Sequence, residues 1–164
     1  MSEKPILFNT EMVRAILDGR KSCTRRVVKE YIPKDAQFGY TEFTPDGAIS
    51  CRGIFETSQP GYGEKFFKLP YQPGDILYVR ESVWQKVGHY LDIDGETKTT
   101  WINEFRYVST DIKPYTGWNY SWGKRPSILM PKEAARIWLK VTDVRVERLQ
   151  DITEKGAKAE GAVD

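Results

Sequence analysis

Two cysteines and one histidine are all that this 164-residue chain offers as thiol and imidazole groups. Cys23 and Cys51 are too few and too isolated for a disulfide framework or a CxxC metal pair, and free thiols in a reducing compartment are expected. With no His/Cys cluster to supply three or four ligands, zinc hydrolysis is not expected either. Any Ser-His-Asp or Cys-His scheme would have to depend on His89, whose polar surroundings between strand-like segments predict a loop or edge position. No apolar run approaches the ~20 residues that span a bilayer. The N-terminus Met1-Ser2-Glu3-Lys4-Pro5 also lacks the basic and apolar regions of a signal peptide. These absences lead to the expectation of a cytoplasmic protein with no membrane partner. A net charge of +2 is likewise too small to mark an obligate nucleic-acid binder by itself.

What is present is a globular composition, 40% hydrophobic and 29% charged, from which a single domain over 1–164 is expected. Five Trp, nine Tyr and seven Phe suit stacking on bases, although most rings in a domain of this size are expected to fill its core. Positive charge is segregated, with Arg20, Lys21, Arg25, Arg26 and Lys29 crowding one segment. That segment, Gly19-Arg20-Lys21-Ser22-Cys23-Thr24-Arg25-Arg26, follows a predicted helix in which Thr10 can cap and Val13, Ile16 and Leu17 fall at i, i+3, i+4. Gly19 would supply the left-handed residue that ends it. Cations just past a helix C-terminus complement its dipole, but this purpose needs one or two of them and none of the hydroxyls.

Beyond the helix the chain reads as short strands divided by turns. Ile6-Leu7-Phe8 is a short strand ahead of the helix, 41–54 is a hairpin around Pro45-Asp46-Gly47, and 58–64 is a mobile loop. Pro73-Gly74 is a type II turn signature leading into the buried strand Ile76-Leu77-Tyr78-Val79, which runs into Arg80-Glu81-Ser82-Val83-Trp84. A second hairpin over 92–107 turns at Asp94-Gly95, and 115–122 is an ordered aromatic loop. Pro131 opens a helical turn, 137–146 is a long strand, and a last helix begins near Asp151.

Three motifs in this order resemble the ASCH domains, small mixed β-barrels of the PUA-like superfamily: Gly19-Arg20-Lys21 with Thr24 and Arg26, Pro73-Gly74-Asp75-Ile76-Leu77-Tyr78-Val79, and Thr153-Glu154-Lys155 with Ala157 and Glu160. Val79-Arg80-Glu81 and Arg125-Pro126-Ser127-Ile128-Leu129-Met130-Pro131 look most like the branch carried by phages and prophages. The resemblance implies an α+β barrel with flanking helices, here with a hairpin and aromatic loop inserted at about 90–124. It also implies no cofactor. The chain stops at Gly161-Ala162-Val163-Asp164, where the family continues through more helix and a closing strand, so a truncated barrel or an edge closed in another way is expected.

Family members that hydrolyse N4-acetylcytidine use a lysine, a threonine and a glutamate, which by resemblance fall on Lys21, Thr24 and Glu160. A threonine hydroxyl activated by a neutral lysine could attack the amide, with the glutamate moving protons. In the alternative assignment Glu160 is the base and a protonated Lys21 stabilises the oxyanion. Arg20, Arg25 and Arg26 would hold phosphate or support the pocket, while Arg80, Glu81 and Trp84 would line its rim. The competing functions are an RNA-binding module, in which Trp84, Tyr115, Trp118 or Trp122 stacks on a base, a ribonuclease, and a phage protein bound to a host factor. The expected partner is thus a modified nucleoside or RNA, or that host factor.

Overall fold

A computed structural model describes residues 3–28, 37–42, 52–56 and 65–162 of the chain. The described residues form a mixed α+β structure with nine strands in three sheets of three. The strands are β1 (Glu3–Leu7), β2 (Gln37–Glu42), β3 (Arg52–Glu56), β4 (Lys65–Lys68), β5 (Ile76–Arg80), β6 (Val83–Leu91), β7 (Thr97–Tyr107), β8 (Tyr120–Arg125) and β9 (Trp138–Lys140). Their orders are β1-β5-β9, β2-β3-β4 and β7-β6-β8. The other elements among the described residues are two α-helices, α1 (Thr10–Leu17) and α2 (Glu154–Ala159), and three single-turn 3-10 helices. Among the described residues no helix is long and apolar enough to cross a membrane, and no three His, Cys, Asp or Glu side chains are grouped to hold a metal ion.

The chain divides into two compact units, one formed by Met1–Lys4, Cys23–Leu77 and Leu139–Asp164, the other by Pro5–Ser22 and Tyr78–Trp138. In the first, β2, β3 and β4 pair antiparallel, with Tyr40 opposite Ile54 and Ile54 opposite Phe66. The β2-β3 pairing agrees with the hairpin expected over 41–54, while its turn and the 58–64 loop lie outside the described residues. The Pro73-Gly74 turn is built as expected: Gly74 has φ +90°, a conformation that only glycine adopts without strain, and the Asp75 N–H closes the turn on the Gln72 carbonyl at 3.1 Å. Asp75 is 1% exposed because its carboxylate accepts both the Gln72 N–H at 3.0 Å and the Lys4 ammonium at 2.6 Å. Thr153 caps α2 by accepting the Gly156 N–H, which places the helix start two to three residues later than its sequence signal at Asp151.

In the second unit α1 is capped by Asn9, whose side chain accepts the Met12 N–H at 2.8 Å, so Thr10 is the first helical residue rather than the cap. Asn serves as well as Thr in that position, and the ring of bonds closes one residue earlier. The helix buries Val13 and Ala15 and leaves Leu17 about half exposed. Gly19 ends it with φ +72°. Val83, Met130 and Ala134 form a core beneath which Phe105, Tyr107 and Ala135 pack.

Three expectations are corrected in this unit and its C-terminal continuation. His89 is on β6, the central strand of its sheet, where its Nε2 meets the Ser121 hydroxyl at 2.9 Å. The second half of the aromatic loop is strand β8, because its rings alternate with small or polar residues and pair with β6 from Val83–Arg125 to Gly88–Tyr120. The long strand over 137–146 shortens to β9, since apolar alternation makes a strand only where a ladder partner is at hand.

Candidate functional site

The structure distributes the candidate residues over both units. Thr24, Arg25, Arg26 and Glu160 belong to the first. Cys23 donates its backbone N–H to the Ala159 carbonyl at 3.1 Å, which lays the segment that starts at Cys23 along the end of α2. The Glu160 carboxylate accepts the Arg25 backbone N–H, the Arg25 guanidinium pairs with Glu147 and donates to the Gly156 carbonyl at 3.1 Å, and Thr24 Oγ1 accepts from Arg26 at 2.8 Å. Glu160 and Thr24 are therefore brought to neighbouring positions by the same short segment. The Thr24 hydroxyl faces a guanidinium, which can stabilise negative charge but cannot take a proton.

Lys21, Arg20, Arg80, Glu81 and Trp84 belong to the second unit. Arg20 pairs with Asp18 on the surface. Lys21 is 8% exposed, with its ammonium 5.7 Å from the centroid of the Phe8 ring and its backbone N–H bonded to the Ala15 carbonyl. Arg80 donates to the carbonyls of Met130 and Ile128, fastening the 3-10 turn Ser127–Leu129 to the end of β5.

Glu81 is 1% exposed and forms the centre of a polar network in which Ser109 is also buried while Arg136 and Thr110 reach the surface. Arg136 Nε donates to one carboxylate oxygen at 2.9 Å, while its NH2 group and the Ser109 hydroxyl both address the other. The same guanidinium reaches the Ser109 hydroxyl at 2.8 Å and the Thr110 hydroxyl at 3.1 Å, and lies 3.8 Å from the centroid of the Tyr107 ring. Tyr107 in turn donates its hydroxyl to the Ala134 carbonyl at 3.0 Å. Burial is the main cause that raises the Tyr107 phenol above its ordinary range, with Arg136 opposing and Glu81 and Asp111 adding to the rise. A phenol whose folded value lies above the unfolded one contributes stability that is complete below about pH 10 and is lost as pH rises through the folded value. The denaturation midpoint of wild-type protein should therefore fall above about pH 10 more steeply than that of Tyr107→Phe. Parallel alkaline profiles for the two proteins would contradict this.

Trp84 opens a different arrangement. Side chains alternate across a strand, so Trp84, Lys86 and Gly88 of β6 share one face of the β7-β6-β8 sheet with their partners Lys124, Trp122 and Tyr120 of β8 and with Arg106 of β7. The ring contacts agree with this assignment. Lys124 and Lys113 each place an ammonium 5.8 Å from the Trp84 centroid, Lys86 lies 4.8 Å from that of Tyr120, and Arg106 reaches across β6 to within 5.9 Å of Trp122. The rings are half-buried, while Arg106, Lys113 and Lys124 are exposed. Lys86, Arg106, Lys113 and Lys124 thus stand among three rings, and a carboxylate, Glu104, lies 2.8 Å from Lys86 and 3.9 Å from Arg106.

The opposite face carries Gln85, Val87 and His89, with Trp101 and Arg125 as their neighbours. Gly123 has no side chain where Trp101 lies: a Cβ there would come within 2.6 Å of that ring. Arg125 stacks 4.9 Å from the Trp101 centroid.

Among these residues, sequence reasoning found Trp84 and Trp122 as stacking candidates and missed Lys86, Arg106, Lys113, Tyr120, Lys124 and Glu104. The period-two run Tyr120-Ser121-Trp122-Gly123-Lys124 was the available signal, hidden by the loop-like composition around it. Comparison of the chain with family models, with curated proteins and with solved structures finds no match.

Proposed function

We propose that this chain is an ASCH-type, PUA-like module that binds single-stranded RNA on the aromatic and cationic face of the β7-β6-β8 sheet. The order of the Gly19-Arg20-Lys21, Pro73–Val79 and Thr153–Lys155 motifs supports the family resemblance, with the small barrel that it implies. The observation that carries the functional reading is the interleaving on one face of Trp84, Trp122 and Tyr120 with Lys86, Arg106, Lys113 and Lys124. Single strands are bound by such surfaces because every base offers a π-face to a ring while its phosphates follow the cations. A duplex hides those faces in its stack, so the same surface would grip it through phosphates alone.

Titration of a labelled single-stranded 12-mer RNA tests this. Single strand should bind more tightly than duplex of the same length, and with about four cations engaged the logarithm of affinity should fall with the logarithm of salt at a slope of roughly −2 to −3. Equal affinity for duplex, or no binding at low salt, would contradict the proposal.

A second reading, hydrolysis of an N4-acylated cytidine through Lys21, Thr24 and Glu160, is favoured by the burial of Lys21, because lysines are rarely withdrawn from water. Under this reading the wild-type protein releases free acid from N4-acetylcytidine, Thr24→Ala releases none, and Thr24→Ser retains some activity. Binding without release of acid leaves the RNA-binding reading alone.

A further inference from the structure

Glu104 is the exception on the proposed face: a carboxylate placed beside two of its cations, Lys86 and Arg106, weakens any purely electrostatic hold on phosphates. The fold invests in its position. Between Gln85–Phe105 and Val87–Trp101 the ladder takes four steps along β7 against two along β6, a bulge that leaves residues 102–104 opposite Lys86. A bulge interrupts the ladder, and here the Ile102 carbonyl is satisfied by Gln85, a side chain 5% exposed, whose amide nitrogen donates to it at 3.0 Å. The Gln85 carbonyl oxygen is held in turn by Arg125. Both ends of this buried amide are thereby fixed, and the strand that presents Glu104 is fixed with it.

The carboxylate is polarised toward one task. Oε2 takes the Lys86 ammonium at 2.8 Å, whereas Oε1 lies 3.9 Å from Arg106, beyond hydrogen-bond distance, and the side chain is 38% exposed. Those two cations are the ones set against Tyr120 and Trp122, so Glu104 sits between the two rings' cationic partners. An ionised carboxylate only accepts hydrogen bonds. Beside a stacked base it rewards an exocyclic amino group and repels an exocyclic carbonyl.

Resting on the RNA-binding reading above, we infer that Glu104 is the base-selecting group of this face, favouring bases that present an amino donor over uracil. Cytosine and uracil have rings of the same size and differ at the 4-position as donor against acceptor, while position 3 differs in the opposite sense, so a preference for cytosine reports contact of Glu104 at the 4-position. The experiment compares oligo-C and oligo-U 8-mer RNA on wild-type protein and on Glu104→Gln. Wild-type should prefer oligo-C by about 5- to 10-fold. In Glu104→Gln the side-chain amide both donates and accepts, so the preference should fall to less than about twofold, while oligo-U binds more tightly because a negative charge is gone. A role limited to the Lys86 ion pair would change both affinities together and leave their ratio unmoved. Equal wild-type affinities, or a ratio unchanged in Glu104→Gln, overturn the inference while RNA binding stands. Failure of wild-type protein to bind either oligomer overturns the RNA-binding reading and the inference together.

Discussion

Replacing Trp84 and Trp122 together with alanine should abolish measurable binding of single-stranded RNA, and each single change should weaken it by roughly 5- to 150-fold. This follows from the ~1–3 kcal/mol that a ring contributes per stacked base. Trp84→Phe keeps a ring on the β6 face and should recover most of the affinity, which separates lost stacking from lost folding. Trp101→Ala is the matched control, because Trp101 lies on the other face of the same sheet against Arg125. Lys113→Ala and Lys124→Ala remove the cations on either contact with Trp84, and each should reduce the salt slope by about 0.7. Should Trp101→Ala impair binding as much as Trp84→Ala, the face has been wrongly assigned.

Arg136→Ala should be among the most destabilising single changes in the second unit. It leaves the Glu81 carboxylate, 1% exposed, with the Ser109 hydroxyl in place of a two-pronged guanidinium. Removing one member of a buried ion pair typically costs about 3–5 kcal/mol. Since the Arg136 side chain keeps 28% of its exposure, the lower end of that range applies, about 3 kcal/mol. Arg20→Ala, which breaks a pair with both side chains well exposed, should cost less than about 1 kcal/mol. Arg136→Lys restores charge but not the fork that spans Glu81, Ser109 and Thr110, so it should recover only part of the loss. Replacing Glu81 and Arg136 together with methionine should be milder than Arg136→Ala, because no charge is left buried. Urea denaturation midpoints check the series, and an Arg136→Ala protein as stable as Arg20→Ala would refute the role given to the network.

Local chemistry was the legible part of this fold. Gly19 ends α1 and Pro73-Gly74 makes its turn before β5, each because a backbone conformation demands a particular residue type, whereas the sequence signal places the start of α2 at Asp151 and its cap is Thr153. Partnership was not legible. The Val144-Arg145-Val146 alternation has the pattern of a strand yet lies outside β9, while Tyr120–Arg125, with its glycine and serine, is a strand because β6 is there to pair with it. His89 read as a loop residue for the same reason: polar composition says nothing about a strand whose two neighbours come from later in the chain.

The candidate site was divided in a similar way. Lys21 and Thr24 are three positions apart in sequence but belong to different units, and Glu160 meets the backbone of Arg25, an interaction that no side-chain pattern announces. Trp84 and Trp122 could be named as stacking rings from their type alone. That they share a face with Lys86, Arg106 and Lys124 depends on register, which the β7 bulge shifts without changing the face that each residue occupies.

The five tryptophans report on the RNA-binding surface directly through their indole N–H resonances, at 84, 101, 118, 122 and 138. Titration of single-stranded RNA into 15N-labelled protein should move the signals of Trp84 and Trp122 while leaving Trp101, on the opposite face, and Trp138, on β9, in place. Perturbation of Trp101 or Trp138 with Trp84 and Trp122 unmoved, or no perturbation of any indole at saturating RNA, would contradict a stacking face on β7-β6-β8.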